Sequence, residues 1–439
     1  MKNTAPALVC LLLAACGGGG GGGSSSGGGG TGTTPPVTAS YLVAGPIVGL
    51  EASGLVVANG SDTVNVPKAG TSFVFGTKVA TGASYSVAIS AQPAGFQACS
   101  ITGTFPAVMA SADVSVLVNC ADAVVGVSTL AGADTSGSAN GTGGAARFNG
   151  IFGLALDATG NVYVGDALNS QVRKITVDGV VTTYAGAAGS GSNFLTPSAM
   201  VFDTAGNLYV TDAGNHNVRK VTPAGVVSTV AGSGTFASRD GNGLLASFKT
   251  PAGIVIDSAG NLFVGDAEAH VIRKITPLGD VTTFAGTTDV AGSADGTGTL
   301  ASFNDPSGLA IDAAGNLFVA DAVNNKIRKI TPAGVVTTFA GTGAAGSANG
   351  AAAVATFNLP VNLSIDADGF LYVAEARGKL IRKISPSGKV TTVAGGGASL
   401  DAADTGAAAA FQGPTSVVFD KSKTLYVADG NKVRKLVRK

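Results

Sequence analysis

The chain has 439 residues, 66 of them Gly and 16 Pro, with 45% hydrophobic and only 12% charged residues. That apolar share can fill a core, and the length suits two or three domains. Lys and Arg (27) balance Asp and Glu (27), Trp is absent and aromatics are 6%, so the chain has neither the basic surface nor the stacking platforms of a nucleic-acid binder.

Residues 1–15 carry Lys2 and then an apolar run from Ala5 to Ala15. The run is shorter than the ~20 residues that span a bilayer and has the form of an export signal. Leu13-Ala14-Ala15-Cys16 resembles the lipobox of bacterial lipoproteins. The resemblance implies cleavage before Cys16, lipidation of Cys16 and attachment to the cell envelope. Gly17 follows the cysteine where Asp would retain the protein, which implies the outer membrane. An ordinary signal peptide with an A-x-A-like site is the alternative. Residues 16–36 then form a tether, because Gly17 to Gly30 contains only Gly and Ser.

Residues 37–122 hold short β-rich runs at 47–50, 55–58, 72–75, 84–90 and 114–118, with Gly, Asn, Asp and Pro between them. They predict a small antiparallel β-sandwich. With Cys10 removed and Cys16 lipidated, Cys99 and Cys120 remain. In an exported domain such a pair reads as a disulfide, stabilising by roughly 3 kcal/mol on chain-entropy grounds. Free thiols or metal ligands are the competing reading, without a nearby histidine to support them. The segment resembles sandwich modules of bacterial surface lipoproteins, which serve as spacers or adhesive units.

Residues 123–439 repeat one pattern six times. The first β run of each unit ends at Asp157, Asp203, Asp257, Asp312, Asp366 or Asp420, spaced 46 to 55 residues apart. The second ends at Asp166, Asp212, Asp266, Asp321, Glu375 or Asp429. A basic residue follows in each, Arg173, Arg219, Arg273, Arg328, Arg382 and Arg434, always with Lys next to it. A phenylalanine precedes each unit: Phe148, Phe194, Phe248, Phe303, Phe357 and Phe411. Four runs per unit, separated by Asp-x-x-Gly-Asn and Pro-Ala-Gly turns, suggest propeller blades. The sixth unit has only three runs, and Val124 to Gly132 carries the fourth-strand pattern without a unit before it. The expected fold is therefore all-β: a small sandwich, then a six-bladed propeller whose last blade is closed by an N-terminal strand.

These units resemble NHL repeats, on the Asp-x-x-Gly-Asn turn, the Leu/Val-Tyr/Phe-Val-x-Asp strand and the Asn-x-x-Ile/Val-Arg segment. The resemblance implies six blades and admits ligand-binding, protein-binding, RNA-binding and enzymatic members, so activity has to be argued from the site. Acid and Arg recur in every unit, whereas a catalytic group is needed once. Their expected role is structural, each buried Arg taking the repeated carboxylate as partner.

The two-to-three turns and the loops between units share one rim, and long loops on a rigid scaffold are where binding usually resides. The loop at Gly186 to Pro197 is about eight residues shorter than its counterparts and predicts a notch. His216, His270, Arg239, Asp240 and Glu268 are the candidate rim residues. A metal site near His216 and His270, completed by Glu268 or Asp240, would make the protein a hydrolase or lyase; this is the alternative. The first strands carry no acid except their terminal Asp, no histidine, and Asn362 as their one amide. They match neither the acid-and-amide set of gluconolactonase-like propellers nor the histidine-rich zinc site of amidating lyases. The sequence nominates no catalytic residue, no metal and no cofactor. It favours an exported, lipid-anchored, monomeric binding protein whose long-loop rim meets a protein or glycan.

Overall fold

The computed structural model describes residues 38–186, 193–399 and 405–439. The expected signal segment, Cys16 and the tether lie outside them, as does most of the short loop after Gly186. Ser40–Lys439 is one compact unit.

The N-terminal part of this unit holds two main sheets around one core. One sheet runs Ser72–Val74, Val43–Val48, Leu117–Asp122, Gln97–Thr102; the other runs Asp62–Val66, Leu55–Asn59, Val87–Ala91. Val43, Leu55, Val57, Phe75 and Val118 fill the space between them. The pairing is mixed where an antiparallel arrangement was expected. Leu117–Asp122 lies parallel to Val43–Val48 and antiparallel to Gln97–Thr102. Gln97–Thr102 itself is absent from the expected runs, because its Gln, Cys and Ser residues hide a half-buried strand. Its pairing sets Cys99 opposite Cys120, and the two form a disulfide.

Six antiparallel sheets follow. The fourth is representative: Pro306–Ile311, Leu317–Asp321, Lys326–Ile330 and Val335–Ala340 pair in chain order. Val, Ile, Leu and Phe fill these strands, and the second is buried along its whole length because neighbouring sheets stack on both of its faces, while the outer fourth strand keeps one face open. Asp312 closes the first turn by accepting the backbone N–H of Ala314 and Asn316 and the Asn316 amide. In the last sheet Val125–Gly132 pairs antiparallel with Lys432–Arg438, so a strand before the repeats supplies the outer position. In the first, third and fourth sheets the incoming loop adds a two-residue strand to the outer edge.

The first strands of successive sheets pack side by side, and Pro414–Phe419 returns to Ile151–Leu156. Small residues permit this approach. A Cβ on Gly153 would stand 1.9 Å from the Ser198 carbonyl oxygen, and one on Gly308 would stand 2.4 Å from the Asn362 Cα. In the fifth and sixth repeats, where Asn362 and Ser416 stand in place of glycine, a polar side chain bridges to the next strand instead. Ser416 Oγ accepts from Leu154 N, and Asn362 Oδ1 accepts from Val417 N.

The N-terminal module rests on the fifth and sixth sheets. Phe96 meets Tyr372 and Phe419 edge-on at 5.7 Å. Arg438 donates to the carbonyls of Pro93 and Gln97, Lys383 pairs with Asp122, and the Ser53 hydroxyl donates to Asp368. The fifth repeat is altered to suit. Phe370 replaces the turn asparagine, so Asp366 takes the Tyr372 hydroxyl in place of an amide.

Candidate functional site

Strand direction gives the ring of sheets two ends. The Asp-x-x-Gly-Asn turns and the N-terminal module lie toward one. The other carries the turns after each second strand, which are 3-10 in the first three repeats, and the loops between repeats.

Every sheet brings its repeated acid and arginine together at the loop end. Arg328 is fully buried; its Nη1 lies 2.9 Å from Asp321 and donates to the Ser302 carbonyl. Its Nη2 donates to the Ala294 carbonyl and to Asp295 at 2.7 Å. The guanidinium stands 5.3 Å from the centre of the Phe303 ring. The same set recurs as Arg173 with Asp166, Asn140 and Phe148, as Arg273 with Asp266, Asp240 and Phe248, and as Arg382 with Glu375, Asn349 and Phe357. Arg434 lies 3.4 Å from Asp429 over Phe411. A charge taken out of water needs such partners, and here one comes from the sheet and the other from the loop. Arg173, Arg273, Arg328 and Arg382 therefore each pin the loop that leads into their own sheet.

The second sheet differs. Arg219 lies 3.4 Å from Asp212, with Asn193 O at 3.5 Å, and its side chain is 13% exposed. The expected notch falls on residues 187–192, outside those described.

Burial dominates the acids of these anchors. It raises the pKa of Asp166, Asp212, Asp266, Asp321 and Asp429 despite the hydrogen bonds they accept, and it pushes Glu375 up to about 7 against the attraction of Arg382. Two of the turn acids, Asp157 and Asp203, behave oppositely, whereas burial raises Asp366. Burial also works against the charge of Asp157, but bonds from Asn161 and Thr159 together outweigh it and lower its pKa.

The candidate rim residues do not converge. His216 closes its 3-10 turn in the left-handed region, φ 54°, and its Nδ1 lies 2.6 Å from the Lys249 carbonyl, which requires the proton on Nδ1. The ring meets Phe236 edge-on. His270 closes the equivalent turn, and its Nδ1 accepts from Asp305 N. Each histidine thus fastens a loop of the following repeat. Asp240, expected at a rim contact, is instead the loop-side partner of Arg273 and also takes the Thr283 hydroxyl. The carbonyl of Arg239 receives the same guanidinium. Glu268 is exposed. Among the described residues no three His, Cys, Asp or Glu side chains gather where a metal could be held. The metal site imagined near His216 and His270 is not assembled, because the two rings serve different repeats. An Asx-Gly pair 33 residues before four of the arginines is the sequence signal of these loop anchors.

The loop end also opens a hollow of about 190 Å³ on the axis. Phe152, Ser198, Ser307, Asn362 and Thr415 line it, with small residues between. All sit at the second or third position of a first strand.

Residues 303–330 match the family model described as NHL repeat. The chain is 33% identical over 162 residues to NHL repeat-containing protein 2 of Bos taurus, covering 34% of this chain and 22% of that protein. It is 36% identical over 94 residues to the chloroplastic protein SUPPRESSOR OF QUENCHING 1 of Arabidopsis thaliana, covering 21% of this chain and 9% of that protein. The chain thus spans under a quarter of the curated relatives it matches. Solved structures extend further. A Bacteroides thetaiotaomicron protein aligns over 92% of this chain and 99% of its own, with TM-score 0.59 at 18% identity. An auxiliary nutrient binding protein of the same species covers 90% of this chain and 97% of its own, with TM-score 0.57 at 14% identity. Another of that name from Bacteroides ovatus covers 92% and 99%, with TM-score 0.57 at 16% identity. At such identities the likeness is one of fold. The chain carries an NHL repeat within an all-β fold of the propeller type.

Proposed function

We propose that this protein is an exported binding protein, held to the cell envelope by a lipid on Cys16, whose loop end meets a protein or glycan partner. In this reading residues 123–439 form a six-bladed propeller, with Val125–Gly132 completing the last blade, and residues 37–122 are a sandwich spacer. Residues 16–36 tether both to the membrane. The observation that carries the reading is the division of the two ends. One end of the fifth and sixth sheets is occupied by the N-terminal module. The other presents loops of varied sequence, four of them fixed by a buried arginine. Fixed loops lower the ordering cost of binding. Proteins of the same fold named auxiliary nutrient binding proteins support a binding role.

The test is capture from envelope extracts. The intact chain is expected to retain a partner that a chain with the Gly232 to Pro251 loop replaced by the shorter Gly186 to Pro197 sequence loses. Equal capture by both, with both chains folded, would contradict the reading. Mass spectrometry of the mature protein tests the anchor, which requires an acylated Cys16 at the N-terminus.

A further inference from the structure

We infer that the axial hollow at the loop end is a subsite for one ring of an uncharged, hydroxyl-bearing ligand, a neutral sugar, seated against Phe152 and held by Asn362. The inference rests on the loop end being the binding face and names what its centre accepts.

The hollow is one-sided. At the two positions that face it, the second, third and fourth repeats offer Ser198, Ala199, Ala252, Gly253, Ser307 and Gly308. The fifth, sixth and first repeats, contiguous around the axis, offer Val361, Asn362, Thr415 and Phe152 instead. None of these residues recurs at its position in the other repeats, so the departure marks one arc of the ring.

Each group has a definite hydrogen-bonding state. Asn362 Oδ1 accepts from the backbone of Val417 at 3.1 Å, which fixes the amide orientation. Its two Nδ2 hydrogens meet no protein acceptor among the described residues. The hydroxyls of Thr415, Ser198 and Ser307 give their protons to Ile151 O, Thr196 O and Asp305 Oδ1. Their oxygens are left as acceptors. Phe152, at 41% exposure, is the one large aromatic of the lining. An aromatic face, oriented donors and several acceptors suit a ligand whose hydroxyls both give and take protons while its ring carbons cover the phenyl group.

Charge selects further. No Asp, Glu, Lys, Arg or His lines the hollow. An ionised ligand group would lose water there without gaining a counter-charge. Size agrees with one ring, since a cavity of ~150 Å³ holds a benzene-sized molecule.

Calorimetric titration of the full chain with maltotriose, cellotetraose and xylotetraose, and with trigalacturonate as a charged probe, tests this. A neutral probe is expected to bind in preference to trigalacturonate. Phe152→Ala and Asn362→Asp should each weaken that binding about tenfold or more without lowering the melting temperature. Asn362→Asp keeps the oxygen that Val417 needs but removes the donors and adds a charge; Thr415→Val provides an uncharged polar deletion that separates loss of a hydrogen bond from the effect of that charge. Binding of no neutral probe, preference for trigalacturonate, or binding indifferent to these substitutions overturns the inference. Loop-dependent capture of an envelope partner alongside any of those results removes the sugar and leaves the binding face. Failure of both experiments removes both.

Discussion

Arg328 shows what the repeated charges do. With no solvent exposure, it divides its guanidinium between Asp321 on its own sheet and Asp295 on the incoming loop. Removing one partner of such a pair leaves a buried charge unpaired, at a cost of about 3–5 kcal/mol. Asp321→Ala should therefore destabilise the protein by about that amount in denaturant titration. Asp212→Ala should cost less, because Arg219 keeps some contact with water; equal losses would contradict the anchor account. Glu375 adds a pH dependence. Its ordinary value is 4.5 and burial raises it to about 7, so between these values the folded state holds the proton more tightly than the unfolded state. The stabilising effect is complete below the lower value and is lost as pH rises through the upper one. Glu375→Gln should flatten the fall of melting temperature between about pH 5 and about pH 7, and an unchanged slope would show that Glu375 does not titrate there.

At the scale of strands, glycine at the third position of the first strand sets how closely neighbouring sheets approach the axis. Gly153→Ala would drive a Cβ into the Ser198 carbonyl and should cost about 1–3 kcal/mol or more. Gly144→Ala, with open space around it, should be neutral in the same melting experiment. Much at this scale was legible in the sequence. The four runs per repeat, their turns and the strand at Val125–Gly132 follow from β-branched periodicity and fixed spacing. The Gln97–Thr102 strand did not, since its outward polar residues mask alternation. The parallel pairing of Leu117–Asp122 with Val43–Val48 is a tertiary choice that local pattern does not encode. Phe370 and Tyr372 also had no readable role until Phe96 was seen against Tyr372.

For the whole molecule, repetition separates scaffold from site. The acids, arginines and phenylalanines repeat and hold the ring; Phe152, Thr415 and Asn362 do not repeat and face one hollow. The separation was only half legible. The lack of charge along the first strands could be read directly, whereas the fixed amide of Asn362 depends on Val417, 55 residues away. His216 and His270 were the residues most open to misreading, because equal offsets in two repeats mimic a ligand pair while each ring serves its own neighbour. The most direct test is hydrogen exchange of the intact chain with and without its captured partner or bound neutral oligosaccharide. Added protection should be confined to the loop end, within 232–251, 286–306 and 341–360 and the starts of the first strands. Protection concentrated instead on the Asp-x-x-Gly-Asn turns, or on the N-terminal module alone, would contradict the account.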